Sequence, residues 1–196
     1  MSKEIGVISD CAGCSVDRGT GMLEEAKAGR CTYNWMLHEN MEAFLRGDAP
    51  IDSWTSHNLV TNQGKNLTND VMFGATAKIA TWYVAIFESN TTILVSHTYA
   101  SPGFTECTAY DEATRPEYID APSASQVMTN VASRAVFTMN AGKTIYGAAL
   151  VGGGSSPTVK GNTAGGGSLY SASQFSSSKV VVATNVLSVD ISITQS

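Results

Sequence analysis

The strongest constraint on the fold is a run at residues 81–87, TWYVAIF, that is apolar on both of its alternating faces. Successive side chains of a strand point to opposite sides of a sheet. Here both sets are apolar, with Trp82, Val84 and Ile86 on one side and Tyr83, Ala85 and Phe87 on the other. Strands that are apolar on both faces are covered on both faces. We therefore predict that residues 81–87 form a central strand.

After this run the pattern keeps a period of two residues, which is typical of strands. The clearest example is residues 186–194, where Leu187, Val189, Ile191 and Ile193 alternate with hydroxyl-bearing and acidic residues. The sequence NAGK at residues 140–143 separates two such runs and predicts a hairpin turn. The remaining predicted strands are residues 92–98, 134–140, 144–151, 168–171 and 179–184.

The pattern before residue 75 has helical spacing instead. Residues 32–46 are predicted to form a helix whose apolar stripe is Tyr33, Leu37, Met41, Phe44 and Leu45. Residues 61–74 predict a second, weaker helix, and residues 22–28 a short helical patch. The predicted fold class is therefore mainly β: an antiparallel β-sandwich or jelly roll over residues 58–196. Residues 1–57 are predicted to form an N-terminal arm with one or two short helices.

Charge excludes some functions and suggests a partner surface. The net charge of −5 argues against nucleic-acid binding, which uses basic surfaces. No apolar run is long enough to span a membrane. The MSKE start is charged and no apolar run follows it, so we expect no signal peptide and reduced cysteines in a cytoplasm. Residues 121–196 contain just five of the 29 charged residues. This low charge predicts contacts between subunits in a homo-oligomer; a neutral, hydroxyl-rich solvated surface is the alternative.

Metal chemistry is the first catalytic possibility that the sequence raises. Cys11 and Cys14 form a CxxC pair, Cys31 follows, and His38 or His57 would complete four ligands. Zinc sites of this kind normally carry a second paired motif, and Cys31 has none. We therefore predict incidental thiols, no metal and no cofactor. Cys107 is isolated, and we expect it to be half-buried.

Three further motifs predict structure rather than catalysis. The GKT at residues 142–144 lacks the glycine that a phosphate-binding loop needs five positions earlier. Ser96-His97 lacks a nucleophile elbow. The carboxylates Asp111, Glu112 and Glu117 surround Arg115 and match acid–base or Ca²⁺ chemistry, but we interpret the four residues as an ion-paired structural loop.

The glycine-rich stretch at residues 152–167 carries GGG at each end. Long loops of this composition are typical of contact loops or mobile tips. We therefore expect a flexible loop in this region.

Several segments together resemble a family of tailed-bacteriophage virion proteins that includes jelly-roll cement proteins. They are NLVTNQG at 58–64, TWYVAIF at 81–87, AYDEATRP at 109–116, AVFTMN at 135–140, TIYGA at 144–148 and GSLYSA at 167–172. The resemblance covers roughly residues 58–194 and leaves out the arm, which we interpret as a segment that reaches across capsid proteins.

The resemblance implies a capsid-decorating protein rather than an enzyme. The expected partners are the major capsid protein and further copies of this chain, as dimers or trimers. The expected location is the capsid exterior, after assembly in the host cytoplasm. The alternatives are a tail, head–tail or host-recognition protein of the same virion, or a small metal-dependent enzyme that uses Cys11, Cys14 and Cys31.

Overall fold

The protein is built from two antiparallel sheets, as a computed structural model of residues 30–164 and 166–194 shows. Its helices are α1 (Met41–Arg46) and α2 (Asn62–Phe73), with a 3₁₀ turn at Ser156–Thr158. The mainly β fold class is confirmed. The strands in chain order are β1 (Arg30–His38), β2 (Asp52–His57), β3 (Leu59–Val60), β4 (Trp82–Phe87), β5 (Glu117–Tyr118), β6 (Val127–Thr129), β7 (Ala135–Thr138), β8 (Lys143–Gly152), β9 (Ser168–Val181) and β10 (Val186–Thr194).

Sheet A is assembled around the last strand, β10. The order is β2-β1-β10-β6, and β7 pairs with β10 beyond the end of β6. β1 lies along the whole of β10, with Arg30 opposite Thr194 and His38 opposite Val186. Sheet B has the order β3-β9-β8-β4-β5.

The main core lies between the inner faces of the two sheets. Burial of apolar surface contributes about 25 cal/mol per Å² and is the principal stabilising effect here. Aromatic rings from both sheets stack in this layer: Trp35 packs against Trp54 with ring centroids 5.9 Å apart and edge-on against Phe175 at 5.1 Å. The largest fully buried members of this core are Trp35, Tyr33, Tyr110, Phe137, Ile86, Met139, Ile145, Leu150, Leu187 and Ile191.

The prediction for residues 81–87 is confirmed, because β4 is paired on both sides and covered on both faces. Val84 and Ile86 belong to the core between the sheets. On the other face, the segment between β4 and β5 lies over sheet B and forms a second apolar cluster around Tyr99. Phe104 of that segment stacks on Phe87, with ring centroids 4.6 Å apart. Sheet B is therefore the middle layer of this part of the molecule.

The predictions for β10 and α2 are also confirmed. α2 begins after Thr61, whose hydroxyl accepts a hydrogen bond from the Gly64 amide at 3.1 Å, and it ends at Gly74. Gly64 is required for close packing, because a Cβ at this position would collide with the Tyr170 carbonyl oxygen on β9. The helix is thereby held against sheet B.

The predicted helix at residues 32–46 is wrong. Residues 30–38 form β1, and only Met41–Arg46 is helical, capped by the Asn40 side chain and ended by Gly47. Cys31, Tyr33, Trp35 and Leu37 alternate as buried residues of a strand. The nine backbone pairings with β10 outweigh the helical spacing of the same apolar residues.

The predicted boundary at residue 57 does not match the fold either. β1 and β2 belong to the same sheet as β10, so residues 30–57 are part of the sandwich and not an appendage. Residues 1–29, including the predicted helical patch at 22–28, lie outside the described residues.

Three strand predictions need correction. Residues 92–98 form no strand. The turn at residues 140–143 is no hairpin, because β7 pairs with β10 in sheet A whereas β8 pairs with β9 and β4 in sheet B. The predicted strands at 168–171 and 179–184 are one strand, β9, whose register against β8 shifts between Ile145 and Gly147. A bulge of this kind bends a strand without ending it.

Candidate functional site

Arg115, the basic residue of the predicted ion-paired loop, lies buried against the outer face of sheet B. Its side chain is only 2% exposed, and that of Glu106 is 7% exposed. The guanidinium donates two hydrogen bonds to the Glu106 carboxylate, from Nε at 2.7 Å and from Nη2 at 2.6 Å. This bidentate geometry is the strong form of an arginine–carboxylate pair.

The other guanidinium hydrogens are also used. Nη1 donates to the Tyr99 hydroxyl at 3.1 Å and to the Pro157 carbonyl at 2.9 Å, and Nη2 donates to the Asn162 carbonyl at 3.0 Å. Burial alone would lower the pKa of Arg115, but the hydrogen bonds and charge of Glu106 raise it. Because all five N–H donors have partners, Arg115 has no donor left for a ligand.

The predicted partners of Arg115 are therefore wrong. The Glu112 carboxylate accepts hydrogen bonds from the amide and hydroxyl of Thr138, at 3.1 and 2.9 Å. Asp111 accepts one from the Asn140 side chain at 3.2 Å. Glu117 is an exposed residue of β5. The carboxylate that pairs with Arg115 is instead Glu106, nine residues earlier.

The same contacts fasten the glycine-rich loop, for which the sequence predicts flexibility. Besides the bonds from Arg115, Lys160 Nζ donates to the carbonyls of Tyr110 and Glu112 at 2.7 and 2.8 Å. The Lys160 ammonium also lies 4.3 Å from the centroid of the Tyr110 ring. Gly161 donates its amide to Glu106 at 2.8 Å and has a φ of 76°, which favours glycine. The middle of the loop is thus tied to the segment between β4 and β5.

A cavity of about 310 Å³ lies beside the Arg115–Glu106 pair, lined by Tyr99, Phe104, Glu106, Arg115 and Leu169 among others. We call it the Arg115 cavity. Its two charged residues bind each other and the surrounding backbone, so the cavity presents no charged group to a ligand. The buried Arg115–Glu106 pair holds the segment between β4 and β5 against the glycine-rich loop and has a structural role.

The cysteine and histidine candidates do not converge on a site. Cys31 is fully buried in the core, where burial raises the pKa of its thiol to about 12. Zinc is held by a group of thiolate, imidazole or carboxylate ligands; Cys11 and Cys14 lie outside the described residues. Within residues 30–164 and 166–194, no three His, Cys, Asp or Glu residues are grouped to hold a metal ion.

The remaining candidates also have structural surroundings. His38 is buried and His57 exposed, while His97 accepts a hydrogen bond from the Leu94 amide at 3.3 Å. Cys107 is fully buried rather than half-buried. Lys143 of the GKT begins β8 and pairs with Glu88 at 2.7 Å.

A second, larger cavity of about 490 Å³ opens between the ends of the two sheets. We call it the end cleft. Its walls are apolar and aromatic, and four polar residues stand at its rim. The walls are Ile79, Trp82, Tyr118, Met128, Leu150, Tyr170 and Ile193, and the rim is Lys78, Asp120, Ser123 and Gln126.

The rim of the end cleft differs from the Arg115 cavity in its hydrogen bonding. Within the described part of the chain, the side chains of its four polar residues make no hydrogen bond or ion pair, and all four residues are exposed. Asp120 still acts on the wall: burial first, and the charge of Asp120 second, raise the pKa of Tyr118. No local motif marks this site in the sequence, because its residues come from distant segments.

A strained turn supports part of this rim. Ser125 and Gln126 both have positive φ, 51° and 65°, between Ala124 and Val127, whose backbones exchange two hydrogen bonds of 3.0 Å. These are the φ signs of a type I′ turn, which normally contains Asn and Gly. This conformation is unfavourable for residues other than glycine, because their Cβ comes too close to the following carbonyl oxygen.

The opposite end of the sandwich carries exposed aliphatic side chains. Val180 and Val182 follow the bulge of β9, and Leu45 and Ile51 lie beyond the end of β1. Their exposures are 71%, 55%, 75% and 61%, respectively. We call these four residues the apolar end.

The charged residues of positions 121–194 are all engaged within the chain. Arg134 pairs with Asp190 at 3.2 Å, and Lys179 pairs with Asp52 at 2.8 Å. Lys143 and Lys160 are bound as described above. This half of the described chain therefore presents no unpaired charge at its surface.

No protein-family model matches the sequence, and no curated protein matches it. None of the helices in the described residues has the length and apolar character needed to cross a membrane.

Proposed function

We propose that this protein is a structural protein of a tailed-bacteriophage virion that binds the outside of the major capsid shell and acts as cement. The observation that carries the proposal is the apolar end, together with the engaged charges of residues 121–194. Exposed aliphatic clusters with little free charge are typical of surfaces that a partner covers. The resemblance of residues 58–194 to virion proteins is our reason for proposing the capsid lattice as that partner.

The mechanism is additive binding. A molecule that contacts two neighbouring capsid subunits adds its binding free energy to the work of separating them. Many symmetric copies, each a dimer or trimer of this chain, act together, because each further contact within an assembled lattice is effectively intramolecular. The shell thereby resists internal pressure without any catalytic step.

The surroundings of the residues that could act in catalysis support a binding role rather than an enzymatic one. Arg115, Glu106, Glu112 and Lys160 all serve internal hydrogen bonds. Cys31 is fully buried in the core between the sheets. A metal-dependent enzyme that uses Cys31 with Cys11 and Cys14 is correspondingly disfavoured, and metal analysis of the purified protein tests it directly.

The decisive experiment adds purified protein to empty, expanded shells and measures the bound copies. Val180→Asp with Val182→Asp places charge on the apolar end and should abolish decoration. The matched control is Val131→Asp, which charges an aliphatic side chain of 50% exposure away from that end. Equal decoration by both variants would refute the apolar end as the contact.

Copy number in purified virions separates the capsid from the second candidate, a tail, head–tail or host-recognition protein. Band intensity relative to the major capsid protein should indicate hundreds of copies for cement and a dozen or fewer for a tail component. The end cleft is the observation that favours host recognition, since it is a concave surface with free polar groups.

The contribution of the N-terminal arm is tested by deleting residues 1–29. The fold sets this limit, because removing residues 1–50 would also remove β1 from the centre of sheet A. We propose that the shortened protein keeps its fold and binds shells more weakly. Full decoration by the shortened protein would show that the arm adds nothing.

A further inference from the structure

We infer that the end cleft is a binding site for a neutral saccharide. The inference does not rest on the proposed place of the protein in a virion, because it concerns a cavity of the isolated chain. Its volume of about 490 Å³ falls within the range of small-ligand sites, roughly 300–1,000 Å³.

The walls of the cleft suit the apolar face of a sugar ring. Trp82 and Tyr170, both half-buried, meet at an interplanar angle of 70° with ring centroids 5.7 Å apart. One wall therefore has two aromatic rings set as a corner. Aromatic faces carry partial negative charge, and one side of a pyranose presents a row of C–H groups with partial positive charge. Stacking of the two surfaces follows from this complementarity.

The rim supplies the polar half of such a site. Sugar hydroxyls both donate and accept, so they need mixed partners. Asp120 accepts, Lys78 donates, and Ser123 and Gln126 do both. Because none of these side chains has a partner within the described residues, each is available to a ligand. One positive and one negative group leave the rim without net charge, which favours a neutral ligand over a phosphorylated or sulfated one.

The strained turn adds an independent observation. Glycine would adopt the positive φ of Gln126 freely, yet the chain carries a long amide side chain there, and that side chain lines the cleft. Strained backbone is concentrated at functional sites, where the surrounding structure holds a side chain in place. Ser125 shares the strain but does not line the cleft, so the two residues provide a matched pair.

The test titrates the full chain with cellohexaose, maltohexaose and chitohexaose up to millimolar concentrations. Calorimetry and the fluorescence of the tryptophans report binding, and a heparin-derived hexasaccharide serves as the anionic comparison. We expect at least one neutral saccharide to bind and to change the tryptophan emission, with weaker binding of the anionic probe. Failure of all three neutral saccharides, or preference for the anionic one, would overturn the inference.

The site is then assigned with the matched pair. Gln126→Gly removes the amide and relieves the backbone, so it keeps the fold while Kd rises roughly tenfold, the effect of one lost hydrogen bond of about 1.4 kcal/mol. Ser125→Gly relieves the same turn and should bind as the wild type does. Asp120→Asn provides a second rim variant. Unchanged affinity in both Gln126→Gly and Asp120→Asn would show that the saccharide binds elsewhere and would overturn the cleft as its site.

Discussion

The Arg115 cavity and the end cleft are similar in kind, since each combines aromatic rings with charged residues, but their polar groups are in opposite states. At the Arg115 cavity a buried Arg–Glu pair is surrounded by carbonyls and hydroxyls that satisfy every guanidinium hydrogen. At the end cleft the polar side chains of the rim are exposed and have no partners among the described residues.

This difference separates structural polarity from binding capacity. Burial and a shifted pKa draw attention to Arg115, as they would to a catalytic residue. Its hydrogen bonds indicate a structural role instead, because a guanidinium with no free N–H cannot bind a substrate. A ligand site is better indicated by reachable groups that still lack partners.

The largest expected effect comes from removing the buried Arg115–Glu106 ion pair. Arg115→Met leaves the Glu106 carboxylate buried without its counter-charge, and we expect the free energy of unfolding to fall by roughly 3–5 kcal/mol. Urea unfolding measures this loss. Adding Glu106→Leu to the same chain should recover part of it, since an apolar pair has no unpaired charge. A single variant as stable as the wild type would contradict the structural role.

A smaller loss is expected from Tyr99→Phe. The Tyr99 hydroxyl accepts from Arg115 and donates to the Asn162 carbonyl at 2.5 Å. Both partners keep another hydrogen bond, so we expect a decrease of about 1–2 kcal/mol in urea unfolding. Tyr83→Phe is the control, because the Tyr83 hydroxyl has no partner within the described chain. Equal losses in the two variants would mean that the hydrogen bonds around Arg115 do not depend on this hydroxyl.

At the rim of the end cleft a substitution should raise the free energy of unfolding rather than lower it. Ser125→Gly replaces a strained residue with one that accepts a φ of 51°, and we expect a gain of roughly 0.5 kcal/mol after the entropy of glycine in the unfolded chain is subtracted. The midpoint of thermal unfolding reports it. Ser123→Gly, in the same segment but without positive φ, should bring no gain; if it stabilises equally, the turn is not strained.

The smallest effect is expected for Asp120→Asn. An exposed carboxylate without a partner contributes little to folding, so the free energy of unfolding should stay within about 0.5 kcal/mol of the wild type. A loss comparable to that of Tyr99→Phe would show that the rim is structural after all, and the contrast between the two cavities would fail.

The sequence predicts those elements whose periodicity points one way. In β10 the apolar and polar residues alternate without exception from Leu187 to Thr194, and in β4 both faces are apolar. β1 is ambiguous, because Tyr33 and Leu37 fit a helix with Met41 and also fit a strand with Trp35. Pairing with a strand at the other end of the chain resolves the ambiguity, and no local pattern contains that information.

The sites were less predictable for the same reason. Arg115 has three carboxylates within four residues, yet it binds Glu106, because the fold of the segment between β4 and β5 brings that side chain to it. The end cleft exists only where both sheets meet, and residues as distant as Lys78 and Ile193 line it. Neither arrangement can be read from spacing alone.

The central position of β10 has a consequence for folding during synthesis. β1, β6 and β7 all pair with β10 in sheet A, yet β10 follows each of them in the chain and is synthesised after them. Until β10 is synthesised, β1 can pair only with β2, and its other edge has no partner strand. Such non-local pairing slows folding and exposes sticky intermediates. We therefore expect a chain that stops short of residue 186 to be recognised by chaperones and proteases.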